Sequence, residues 1–101
     1  MSRMKHSEMQ PGYFYSKGWV RYVAAIERGF AFIIEPWGYA VITISALQQW
    51  AEQRHTPDDA KLRFAKDFAE IAEQMARPAP STVVWKFGRE YWPDHAVKMV
   101  S

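Results

Sequence analysis

From Trp19 to Ile44 the chain is dense in β-branched and aromatic residues, and turn signals cut it twice, at Glu27-Arg28-Gly29 and at Glu35-Pro36-Trp37-Gly38. Apolar runs punctuated by glycine and proline at this spacing read as strands rather than helices. The pattern predicts three strands, over about 18–26, 29–35 and 39–44, joined as a meander. Trp19, Tyr22, Val23 and Ile26 also fit a helical stripe, so the first segment admits both readings.

The second of these segments carries the chemistry. In Arg28-Gly29-Phe30-Ala31-Phe32-Ile33, a strand would place Phe30 and Phe32 side by side on one face and Ala31 and Ile33 on the other. Two coplanar rings beside a cation form a platform on which unpaired bases stack. Aromatic residues make up 16% of the chain, so the same pair also reads as ordinary core.

At 101 residues the chain has the size of one domain and can bury a core without covalent staples. Residues 1–17 read as a flexible N-terminal arm, broken at Pro11-Gly12 and anchored by Tyr13, Phe14 and Tyr15; 18–101 read as one domain. With no cysteine, disulfides, cysteine–zinc sites and thiol catalysis are excluded, in keeping with a reducing cytoplasm. No apolar run reaches the roughly 18 residues that span a bilayer. The polar first dozen residues lack a secretory pattern, so no membrane association and a cytoplasmic location are expected. A net charge of +2 is compatible with nucleic acid but too mild to argue for it.

Ser45 is placed to cap a short helix from Ala46 to Arg54. A stronger start is Thr56-Pro57-Asp58-Asp59, where Thr56 can accept from the Asp59 amide and Pro57 suits the first helical position. One long helix is expected from there to about Arg77, with Phe64, Phe68, Ile71 and Met75 as its apolar stripe. Thr82–Phe87 and Ala96–Val100 read as two more strands, separated by an aromatic loop with Tyr91 and Trp92. The expected fold is therefore mostly β with one long helix: a small five-stranded barrel of the oligonucleotide/oligosaccharide-binding (OB) type, with its helix between strands 3 and 4.

Over about 18–47 the sequence resembles a cold-shock domain, the OB-type barrel that binds single-stranded RNA and DNA. Gly18-Trp19-Val20-Arg21-Tyr22-Val23 stands where that family has G-x-V-K-W-F, and Arg28 to Ile33 stands for K-G-F-G-F-I. Ala40-Val41-Ile42-Thr43-Ile44-Ser45-Ala46-Leu47 takes the place of V-F-V-H-F-S-A-I. The resemblance implies that Tyr22, Phe30 and Phe32 stack bases while Arg21 and Arg28 contact phosphates or bases. The third motif has lost both aromatics and its histidine, and the long helix has no counterpart in the family. Trp37, in the second turn, is a candidate replacement ring, and Lys86 a further cation.

No catalytic, metal or cofactor pattern is visible. His6, His55 and His95 are far apart, so no two of them stand at the i+3 or i+4 spacing of a metal pair. Ser16, Ser45 and Ser81 lack a nucleophile-elbow context, and the helix cap accounts for Asp58 and Asp59. The expected function is thus non-enzymatic binding of single-stranded RNA or DNA through Arg21, Tyr22, Arg28, Phe30, Phe32, Trp37 and Lys86. The alternative is a small protein-interaction module, an inhibitor or adaptor, for which the excess of Trp and Tyr argues. An edge strand near Tyr39–Ile44 would also offer a pairing site to a second copy, giving a homodimer.

Overall fold

The structure is a computed structural model and describes residues 4–76. Its strands are β1 (Phe14–Ser16), β2 (Val20–Glu27), β3 (Phe30–Glu35), β4 (Gly38–Thr43) and β5 (Gln53–His55). They form one antiparallel sheet in the order β4-β3-β2-β1-β5. Helix α1 (Ile44–Trp50) lies between β4 and β5, and α2 (Pro57–Arg63) and α3 (Ala65–Met75) follow β5. A short 3-10 turn, His6–Glu8, precedes the sheet.

The β2–β3 turn shows why this chain makes a meander. Arg28 and Gly29 both have positive φ, 53° and 81°, between the paired residues Glu27 and Phe30. Two left-handed residues in a two-residue loop match the right-handed twist of the flanking strands. Glycine takes that conformation at no steric cost, whereas arginine is held in it by the strands on either side.

Both faces of the sheet are covered. On one, Phe14, Val20, Tyr22, Phe32 and Ile34 pack with Phe68, Ile71 and Met75 of α3 and Ala60 of α2. On the other, Tyr15, Val23, Ala31 and Ile33 pack with Ile44 and Leu47 of α1 and with Met4 and Met9. A bulge between Val23 and Ala25 puts Ala24 and Ala25 together in the α3-side core. A strand buried on both sides reads as a continuous apolar run. Phe30-Ala31-Phe32-Ile33-Ile34 has that character. The Tyr15 hydroxyl holds the N-terminal segment down, donating to the Glu8 carbonyl and accepting from the Gln10 amide at 2.8 Å. Burial pushes the phenols of Tyr15 and Tyr22 above their ordinary value.

The expected architecture is corrected in three respects. Among the described residues, no helix lies between strands 3 and 4: β3 and β4 are joined by the turn at Pro36-Trp37, and the α-helices follow β4. Phe14–Ser16, placed in the N-terminal arm by its sequence, is a strand between β2 and β5, so each expected strand moves up by one. A strand of three residues is too short to show a period. The single long helix is likewise two. Phe64, at φ −128° and ψ 51°, ends α2 and precedes α3. The break lets Ala60 and Phe64 near β5, and Phe68 to Met75 over β2 and β3, all reach one twisted sheet.

The start at Thr56 is as its sequence predicts, with Asp59 N–H donating to Thr56 Oγ1 at 3.2 Å and Pro57 opening the helix. Helix α1, however, is capped by Thr43, which accepts from Ala46 N–H at 3.1 Å, rather than by Ser45. It ends at Trp50 because Gln53–His55 leaves to pair with β1. The strands expected at Thr82–Phe87 and Ala96–Val100, the loop between them and Lys86 lie outside the described residues. Among the described residues, no helix is long and apolar enough to cross a membrane.

Candidate interaction surface

The large hydrophobic side chains exposed among the described residues are Phe30, Trp37, Tyr39 and Leu62. The first three belong to one hairpin, β3–β4, and stand 40%, 67% and 46% exposed. Two of them are held from beneath. The Tyr39 ring stacks nearly parallel on buried Phe32, 6.3 Å between centroids. Trp37 rests on Trp19 at 4.7 Å, and Trp19 meets Trp50 of α1 at 5.0 Å. The Arg21 guanidinium lies over both of the latter rings, 4.8 Å from Trp19 and 4.4 Å from Trp50, and its Nε donates to Glu35 Oε2 at 2.9 Å. Rings fixed in this way lose little conformational freedom on contact.

Among the described residues β4 is an edge of the sheet, and its backbone adds to the surface. Ile44 N–H donates to Gly29 O at 3.0 Å, and the register pairs Ala31 with Ile42, Ile33 with Ala40 and Glu35 with Gly38. Hydrogen-bonded pairs alternate along an antiparallel ladder. The even-numbered residues therefore bond to β3, and Tyr39 and Val41 direct their N–H and C=O groups away from it, while Thr43 opens helix α1 as its N-cap. Strand β4 reads Gly-Tyr-Ala-Val-Ile-Thr, without a charge or a proline. Those are the usual devices by which an edge strand is kept from pairing.

The seven residues singled out from sequence divide sharply. Trp37, Phe30 and Arg28 are exposed on the β2–β3–β4 turns and strands. Tyr22 and Phe32 are each 1% exposed, inside the core facing α3. Arg21 is engaged by Glu35 and two indoles. Lys86 lies outside the described residues. The structure adds Tyr39, Trp19 and Trp50 to the surface. Tyr39 alternates with Val41 along β4, a sequence signal that would have found it; the convergence of three tryptophans from separate elements has no local signal.

A second cluster sits beside an open cleft of about 620 Å³ lined by residues that include Glu8, Arg54, His55, Asp59 and Arg63. His55 Nε2 is 2.8 Å from Ser16 Oγ, His55 Nδ1 is 2.7 Å from Asp59 Oδ2, and Arg63 Nε donates to Asp59 Oδ1 at 2.8 Å. Asp59 lies four residues after His55, a spacing that could have revealed the pair in the sequence; Ser16 is 39 residues away and was not legible. The bonds to His55 first, then to Arg63, hold the Asp59 carboxyl below its ordinary range. An ionised carboxylate only accepts, so Nδ1 carries the hydrogen, and in the neutral ring Nε2 accepts from the Ser16 hydroxyl.

This order of groups is that of a nucleophilic triad, but its placement is reversed. The serine is the buried end, 5% exposed and absent from the cleft lining, while the Asp59 side chain is 34% exposed. A nucleophile must reach its substrate, and here the hydroxyl faces the core. The chain of bonds instead ties β1, β5 and α2 together. Among the described residues, no three His, Cys, Asp or Glu side chains gather as a metal site.

Compared with known protein families, curated proteins and solved structures, the chain matches none.

Proposed function

We propose that this chain is a protein-interaction module that makes its contact through the β3–β4 hairpin. The observation that carries this reading is three exposed aromatic side chains, Phe30, Trp37 and Tyr39, on a hairpin whose outer strand is uncharged. Aromatic anchors of this kind dominate binding energy at protein interfaces, and an outward-facing strand backbone supplies hydrogen bonds for an added strand. The cysteine-free composition suits a reducing compartment, and the cytoplasm is the proposed setting.

Single-stranded RNA or DNA is the second reading, and Arg28 beside exposed Phe30 supports it. It is the weaker one because two of its three stacking rings are buried and Arg21 is already ion-paired. Each stacked base contributes about 1–3 kcal/mol, so burying two rings removes much of the expected affinity.

The test places a photo-crosslinking residue at Tyr39 and, as a control, at exposed Lys61 of α2. Protein adducts at position 39 that disappear with Trp37→Ala are expected. A parallel tryptophan-fluorescence titration with mixed-sequence 12-mers of single-stranded DNA and RNA, at about 50 and 200 mM salt, guards against the other reading. Saturating, salt-sensitive quenching without protein adducts would overturn the module in favour of nucleic acid.

A further inference from the structure

We propose that the Arg21–Glu35 ion pair is a positioning device: it sets the orientation of Trp37, the indole of the β3–β4 turn, rather than stabilising the fold. The inference rests on the module reading above and adds to it what holds the contact ring in place.

The register of β2 and β3 pairs Tyr22 with Ile34, whose side chains enter the core facing α3. Arg21 and Glu35, one residue away on either strand, therefore meet across the opposite face. Their side chains are only 18% and 10% exposed. Drawing two charges out of water costs about as much as their attraction returns, and apolar side chains of like volume in their place are often no less stable. Stability alone does not explain such a pair.

Its neighbours supply the reason. Arg21 Nε donates to Glu35 Oε2 at 2.9 Å, a bond that fixes the plane of the guanidinium. That plane lies over Trp19 and Trp50, which meet each other at 5.0 Å, and Trp19 in turn carries Trp37 at 4.7 Å and 43°. Glu35 is also the residue paired with Gly38 across the turn, and Gln74 Nε2 donates to the Pro36 carbonyl between them at 3.4 Å. The carboxylate at the base of the turn thus anchors the cation that backs the turn's indole. Trp37 stays mostly exposed, so the stack fixes this ring without burying it. Arginine suits the task and lysine does not, because only the guanidinium offers a flat face to an indole while it pairs with a carboxylate.

The test uses the full-length chain and three variants, Arg21→Met/Glu35→Met, Arg21→Lys and Trp37→Phe. Closely set indoles give an exciton couplet in circular dichroism. Subtracting the spectrum of each protein's own Trp37→Phe derivative isolates the part that Trp37 contributes. The double variant should unfold in urea at a midpoint no lower than that of the parent and yet lose most of this difference signal. Arg21→Lys keeps a charge beside Glu35 but not the plane, so it too should fold and lose signal. With the photo-crosslinking residue at position 39, protein adducts should fall about tenfold in both, as on loss of an aromatic anchor.

A difference signal that survives without the pair, or that vanishes only where the urea midpoint falls with it, makes the pair a structural element and overturns the inference. Should the double variant fail to fold, Arg21→Lys decides by the same criterion. Undiminished adducts from variants that have lost the signal also overturn it, and leave the module reading standing. Absence of adducts from the parent chain overturns the module reading instead, and the difference spectrum, which needs no partner, still decides whether Arg21 and Glu35 position Trp37.

Discussion

Phe32 lies at 1% exposure among Phe14, Tyr22 and Ile71, whereas Phe30, two residues earlier in the same strand, is 40% exposed. Truncation should separate their roles. Phe32→Ala opens a cavity in a packed layer and should cost about 3–5 kcal/mol. Phe30→Ala, at the rim, should cost about 1 kcal/mol or less. Urea unfolding monitored by circular dichroism measures both, and equal losses would contradict this division. The alternation that puts the two rings on one face was legible from Arg28 to Ile33. Whether a ring on that face meets solvent or helix α3 was not, because α3 arrives from more than 30 residues further along the chain.

At the scale of elements, the junction of β5 and α2 has a defined response to acid. The Asp59 carboxyl is held below its ordinary range by His55 and Arg63. A lowered carboxyl pKa means that the unfolded chain takes up the proton first as pH falls. The stabilisation is therefore complete above the ordinary carboxylate range, near pH 4, and is lost as pH drops through the lower folded value. Thermal melts of the parent chain and of Asp59→Asn should differ at pH 7 and converge in acid, once the carboxyl is protonated in the folded chain too. Curves that keep a constant separation across that range would show that the carboxylate charge is not what matters. The cap at Thr56 needed only four consecutive residues to be recognised. The serine end of the same network needed the sheet, since β1 and β5 meet only through tertiary pairing.

At the scale of the whole molecule, the placement of β1 decides the architecture. It pairs with β2 on one side and β5 on the other, contributing Phe14 to one core and Tyr15 to the opposite one. Removing residues 1–16 should therefore abolish cooperative unfolding rather than trim an arm. A truncated chain that still unfolds in one sharp urea transition, at an unchanged midpoint, would return this segment to the role of an appendage. The expected barrel with its helix between strands 3 and 4 failed for the same cause: a strand of three residues carries too few positions for any periodicity to announce it.

What the amino-acid order determined by itself is everything settled within about four residues of chain. Arg28-Gly29 as a tight turn, Thr56-Pro57 as a helix start and the alternating faces of β3 all depend on neighbours that any conformation of the chain keeps close. Only the tertiary structure decided which of those faces are buried, that Phe64 divides a helix, that Ser16 meets His55 and that Trp19 and Trp50 gather around Arg21 with Trp37 against Trp19. Those outcomes depend on contacts between distant segments. Each repays its loop-closure entropy only when the rest of the sheet and its two covering layers are already in place.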